Sequence, residues 1–249
     1  MNNNTKGTLI AASLGPGDPG LITRAAWNAL ETTPCWAWPE SRQEGGGYAI
    51  SIARRAGLTP PEHTLELHFP MTRDAKRLTE QWSLAARQVL EVLHAGKDVV
   101  FLVEGDASFY STFGHLQRTI WNLDPAIQVR IIPGVASPMA SAALDRQGLC
   151  DGDQTVAMVP ATIGMERIAH LFDTFETVVL LKVRPVLDEL IQLLEQRQLL
   201  AKSVFVERAG APEERVVHDI ASLAGSQVHY LSLMIVHCND GEATLGNRK

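Results

Sequence analysis

Apolar and polar positions along this chain follow two rhythms, one of period two or unbroken and one of period 3.6, which alternate between turn signals. "GTLIAASL" (7–14) reads as a strand, and 21–31 as an amphipathic helix with Leu21, Ala25, Trp27 and Leu30 near one face. "CWAW" (35–38) is a short apolar strand closed by Pro39. A helix is predicted over 48–56, and "HTLELHF" (63–69) alternates as a half-buried strand does. A long helix follows over 72–95, with Thr72 as its N-cap and Gly96 as its stop. "DVVFLV" (98–103) is unbroken apolar, the signature of a parallel strand buried on both faces. Its loop, "EGDASFYST" (104–112), leads to a helix over 113–123, a strand at "QVRII" (128–132), and a further helix opening with "PGVASPMASAA". Strictly alternating β and α predicts a parallel sheet with helices on both faces.

"QGLCDGDQ" (147–154) reads as a linker. Beyond it come strands at 155–159, 177–183, 202–207 and 228–236, with helices at 165–172 and 185–197. The expected fold is therefore two α/β domains, 1–146 with a mainly parallel sheet and 147–249 with a mixed one.

Composition narrows the function classes. At 249 residues the chain suits one large domain or two modest ones, either able to bury a real core, and 45% hydrophobic with 20% charged residues is ordinary for a globular protein. A net charge of -6 gives no broad basic surface for nucleic acid. The N-terminus lacks the basic and apolar regions of a signal peptide, and no apolar run approaches a membrane span. The cytoplasm is the expected location, with no nucleic-acid or membrane partner. Cys35, Cys150 and Cys238 are scattered, and the eight histidines show no ligand spacing, so no metal site is expected.

Candidate chemistry concentrates in three glycine loops, each directly after a predicted parallel strand: "GPGDPG" (15–20), "EGDASFYST" and "PGVAS" (133–137). Ligands of open α/β sheets bind at these carboxyl ends. Gly15, Gly17 and Gly20 satisfy G-x-G-x-x-G, and Glu40 lies near the place of a ribose-binding acid, so an NAD-dependent oxidoreductase is one reading. Against it, Pro16 and Pro19 remove two backbone N–H donors that a pyrophosphate needs.

Together, "GPGDP" (15–19), "GD" (105–106), "IPGVAS" (132–137) and "ERAG" (207–210) resemble the S-adenosylmethionine-dependent tetrapyrrole methylases over almost the whole chain. "LHFPMT" (67–72), "GDASFYSTFGHL" (105–116) and "VVLLKV" (178–183) are most similar to the branch that methylates precorrin-2 at C20 in cobalamin biosynthesis. Ala107 departs from the Pro usual in that loop. The resemblance implies the methylase-type pair of α/β domains, a tetrapyrrole substrate and a homodimer. It implies S-adenosylmethionine contacts at Pro16, Gly105, Asp106, Phe109, Tyr110, Ser111, Ala136 and Ser137, with Val183, Ala209 and Leu233 holding the adenine.

Methyl transfer from a sulfonium is an in-line displacement that needs a placed nucleophile and excluded water. The electron-rich ring carbon is its own nucleophile, but a proton must leave it afterwards. Asp106, Glu104 and Tyr110 are the candidates at the catalytic centre, the two carboxylates for orienting cofactor or substrate, and the sequence assigns neither of them as the general base. A polycarboxylate substrate calls for arginine anchors, with Arg24, Arg42 and Arg184 as first candidates and Arg54 and Arg208 behind them. Methylation at another ring position, or a non-catalytic module binding S-adenosylmethionine or a corrinoid, are the other readings.

Overall fold

The computed structural model describes residues 6–39, 47–69 and 74–238. The chain divides into two compact units, Met1–Ala136 and Ser137–Lys249.

The first unit is built as β1 (Leu9–Ser13), α1 (Arg24–Thr32), β2 (Cys35–Pro39), α2 (Tyr48–Arg55), β3 (His63–Leu67), α3 (Ala75–His94), β4 (Val99–Val103), α4 (Phe113–Leu123) and β5 (Val129–Ile132). Its sheet has the order β3-β2-β4-β1-β5, every neighbouring pair parallel. The central strands β1 and β4 are apolar but for Ser13 at the end of β1, because each face meets a helix layer. Leu9, Ala11, Val99, Phe101 and Val103 pack in one core with residues of α3 and α4. Ile10, Ala12, Val100 and Leu102 pack in the other with residues of α1 and α2. The chain leaves β1 toward β2 on one side and leaves β4 toward β5 on the other. The carboxyl ends of β1 and β4 are thus a topological switch point, where an open sheet offers a crevice.

The second unit runs α5 (Ser137–Asp145), β6 (Val156–Pro160), α6 (Met165–Thr174), β7 (Thr177–Leu181), α7 (Leu187–Gln196), β8 (Ser203–Glu207), β9 (Arg215–Val217) and β10 (Ser232–His237). The order is β6-β7-β10-β8-β9, with β6 parallel to β7 and all other pairs antiparallel. The mixed sheet is as expected. One core, including Phe172, Leu180, Leu190, Phe205 and Met234, joins α6 and α7 to it.

Several boundaries move for identifiable reasons. The division falls after Ala136, earlier than the expected boundary at 146, because α5 packs on β10 and its last residue, Asp145, lies 3.6 Å from His237. Helix α1 begins at Arg24 because the Thr23 hydroxyl accepts from the Ala26 N–H. Ahead of it a 3-10 turn over Pro19–Leu21 uses up Leu21. Asp74 caps α3, accepting from the Lys76 and Arg77 N–H groups, while Thr72 lies outside the described residues. Among the described residues no helix is long and apolar enough to cross a membrane.

Candidate functional site

The three glycine loops emerge side by side at the carboxyl ends of β1, β4 and β5. Gly15 and Gly105 pair directly, Gly15 N–H to Gly105 O at 3.2 Å and Gly105 N–H to Gly15 O at 2.8 Å. Both hold left-handed backbone, φ 76° and 68°, which only glycine adopts freely. A Cβ on Gly105 would meet nothing within 4 Å, so the space beside it is open to a ligand. Gly134 is the opposite case. A Cβ there would lie 2.6 Å from Ser13 Cβ and 2.9 Å from Gly105 O, because the third loop is pressed onto the first two.

Asp106 ties the loops together. Its Oδ1 accepts from Ser108 N–H at 2.8 Å and from the Ser108 hydroxyl, and its Oδ2 accepts from Gly134 N–H at 2.8 Å. Burial pushes its pKa up, but the bonds from Ser108 and Gly134 outweigh that and hold it below the ordinary carboxylate value. With both oxygens occupied, Asp106 fixes loop geometry. The departure at position 107 is compensated locally: Ala107 N–H, a donor that proline lacks, bonds the buried Ser13 hydroxyl at 2.9 Å. Glu104 is different. The residue keeps an exposed surface, yet protein crowds its carboxyl enough that burial pushes the pKa up to about 7. Of the two carboxylates here, only Glu104 can exchange a proton near neutrality.

The rest of the second loop displays aromatic surface. Tyr110 sits at φ 50° and is 53% exposed, its ring edge-on to Phe109 at 4.8 Å between centroids. Left-handed backbone is uncommon for a residue with so bulky a side chain, and here it falls at the exposed rim of the loop. The Ser111 hydroxyl accepts from Phe113 N–H and secures the start of α4.

The first loop is braced from α2. Tyr48 Oη donates to Pro16 O at 3.0 Å, and Arg55 donates to Gly17 O at 2.6 Å. Gly20 N–H, which a dinucleotide reading needs for phosphate, is bonded to Asp18 at 2.7 Å. This loop has no free amide nest at its third glycine.

Pro16, Gly105, Asp106, Phe109, Tyr110, Ser111 and Ala136 therefore all lie in the loops of the first unit's carboxyl edge. Ser137 begins α5 in the second unit, where Val183, Ala209 and Leu233 are buried at the ends of β7 and β8 and the start of β10. Arg24 is exposed at the start of α1, and Arg184 is exposed just beyond β7. Arg42 and Glu40 lie outside the described residues. Sequence reasoning missed the roles of Ser13, Tyr48 and Arg55. A lone polar residue ending an apolar strand was the available signal for Ser13; nothing local marks the other two.

Comparison with known proteins yields a consistent set of matches. A model of the tetrapyrrole (corrin/porphyrin) methylases matches residues 8–224. A precorrin-2 C(20)-methyltransferase from Sinorhizobium sp is 29% identical over 92% of this chain and 95% of its own. A cobalt-precorrin-2 C(20)-methyltransferase from Salmonella typhimurium is 31% identical over 86% of this chain and 90% of its own. Among solved structures, a uroporphyrin-III C-methyltransferase from Thermus thermophilus, complexed with S-adenosylhomocysteine, shares the fold at TM-score 0.65. It is 22% identical and covers 92% of each chain.

Proposed function

The chain belongs to the tetrapyrrole (corrin/porphyrin) methylase family, and from that premise we propose that it transfers a methyl group from S-adenosylmethionine to C20 of precorrin-2, or of its cobalt form, in cobalamin biosynthesis. The observation that carries the reading is the switch-point site itself. Three family-type loops are stitched by Asp106, Ser13 and the Gly15–Gly105 pair around open space. The donor set suits the cofactor, offering apolar Pro16 and Ala136, the aromatic Tyr110 and Phe109, and the Glu104 carboxylate.

S-adenosylmethionine, when bound, supplies a methyl carbon on a positively charged sulfur. Pro16, Gly105, Phe109, Tyr110, Ser111 and Ala136 bind it, and Asp106 holds their loops in position. Ser137, Val183, Ala209 and Leu233 are assigned to it on the family motifs. Glu104 takes the proton that leaves the ring carbon after methylation. Arg24, Arg42 and Arg184 are the first anchors for substrate carboxylates.

The same reading makes the enzyme a cytoplasmic homodimer. Exposed Trp121, Leu123 and Ile131, on α4 and the edge strand β5, are apolar surface that a second copy would cover. The dinucleotide reading has no support in the loop, where Pro16 and Pro19 lack donors and Gly20 N–H is spent. Ala107 does not favour a non-catalytic module, because its N–H maintains the loop.

Calorimetry with S-adenosylhomocysteine and NAD, followed by incubation with precorrin-2 and labelled S-adenosylmethionine, tests the proposal. Binding of the former nucleoside alone and a mass gain of one methyl group are expected. NAD binding without S-adenosylhomocysteine binding overturns it.

A further inference from the structure

At the other sheet, three cationic or donor side chains collect where β7 and β8 end and β10 begins. Because β10 is antiparallel to both, its first residues lie against their last: Leu233 pairs Leu181, and Ser232 pairs Glu207. Arg184 follows β7 by three residues, Arg208 follows β8 by one, and His229 precedes β10 by three. The stretches are bonded together as well. Arg208 N–H donates to Leu231 O at 2.7 Å, and His229 N–H donates to the Glu207 carboxylate.

The polar groups here are used unevenly. Glu207 is spent on the His229 amide and on Arg215, whose guanidinium lies 2.9 Å away. Arg208 holds one exposed partner, Glu213, at 3.0 Å, but its Nε is buried and bonds nothing among the described residues. Such a donor is costly unless a ligand completes it. Arg208 also holds left-handed backbone, φ 53°, which a non-glycine residue keeps only when its surroundings require it. Arg184 is exposed and has no side-chain hydrogen bond or ion pair among the described residues. His229 Nδ1 accepts from Leu231 N–H at 3.1 Å, which leaves the proton on Nε2. Burial first, then the charges of Arg208 and Arg184, push the His229 pKa down against the opposing pull of Glu207 and Glu213. The imidazole is thus a neutral donor of fixed tautomer at neutral pH.

We propose that Arg184, Arg208 and the Nε2–H of His229 form a carboxylate-binding subsite that takes an acidic side arm of the tetrapyrrole. The assignment rests on the methyl-transfer reading for the identity of its ligand. Fork-shaped guanidiniums bond both oxygens of a carboxylate, and an incoming carboxylate replaces the exposed Glu213 on Arg208. A carboxylate is also carried by S-adenosylmethionine, so the test separates the two sources.

Precorrin-2 binding is measured on the full chain saturated with S-adenosylhomocysteine, and S-adenosylhomocysteine binding is measured separately by calorimetry. The variants are Arg184→Ala, which alters only an exposed side chain, and Arg208→Asn, which removes the guanidinium but suits left-handed backbone. Each is expected to weaken precorrin-2 binding roughly tenfold or more, the scale of a lost charge-assisted bond, with S-adenosylhomocysteine affinity unchanged. Arg197→Ala, which removes an equal charge from an exposed pair with Asp173, should leave both affinities unchanged. Unchanged precorrin-2 affinity in both subsite variants overturns the subsite. A loss confined to S-adenosylhomocysteine reassigns it to the cofactor and equally overturns it, as does an equal loss in Arg197→Ala. Wild-type protein that binds precorrin-2 but transfers no methyl group counts against the methyl-transfer reading alone.

Discussion

Gly134 shows how closely the first unit's loops are fitted. Its Cα lies against Ser13 and the Gly105 carbonyl, and its N–H is one of the donors that occupy Asp106. Gly134→Ala forces a Cβ against backbone and the strand end, neither of which can swing aside. A loss of about 1–3 kcal/mol is expected in denaturant unfolding, with weakened S-adenosylhomocysteine binding. Glu104 makes a prediction of opposite sense for stability and activity. Its folded pKa of about 7 lies above its unfolded value, so its contribution is full at acid pH and is lost as pH rises through about 7. Glu104→Gln, which keeps the uncharged form, should therefore raise Tm relative to wild type at pH 8 and not at pH 4. If Glu104 accepts the ring proton, wild-type kcat rises with pH and levels off above about 7. The variant should lose that rise along with most of its rate. Equal pH profiles in the two proteins would remove Glu104 from the chemistry. The motif letters made Asp106 and Glu104 equal candidates, and only the hydrogen-bond partners separate them: one carboxylate is tied up, the other is not.

In the alternating half, β1 and β4 were legible because they are buried along their whole length. β4 and α4 match their expected extents closely, since an unbroken apolar run and a clean helical stripe leave one solution. Helix starts were less legible, because a cap is decided by which side chain turns back onto the amides. Asp74 rather than Thr72 fills that role for α3, and Asp74→Ala should cost about 1 kcal/mol in thermal unfolding, without effect on methyl transfer. β9 went unforeseen because three residues, Arg215–Val217, on a sheet edge carry too little pattern to register. The expected strand over 228–236 begins only at Ser232, because Val228 is buried from a loop rather than from the ladder. That loop carries His229, so the difference in boundary is also what brings the imidazole beside Arg208.

For the whole molecule, the two-unit α/β plan follows from the change of rhythm along the chain, but the place of the division does not. α5 follows the third glycine loop directly and looks like one more helix of the parallel layer. Its packing on β10 assigns it to the second unit, a tertiary choice that its own apolar face does not encode. Function was legible to a similar depth. The order of the glycine loops specifies the family, whereas the proposed subsite rests on single arginines whose grouping depends on where the strands of the mixed sheet end. The central claim concerns one bond, formed between the donor methyl group and C20. Its most direct test is to incubate the protein with precorrin-2 and S-adenosylmethionine carrying a carbon-13 methyl, then locate the label by NMR. The account predicts a single new methyl at C20; a label at another ring position, or none on the tetrapyrrole, would contradict it.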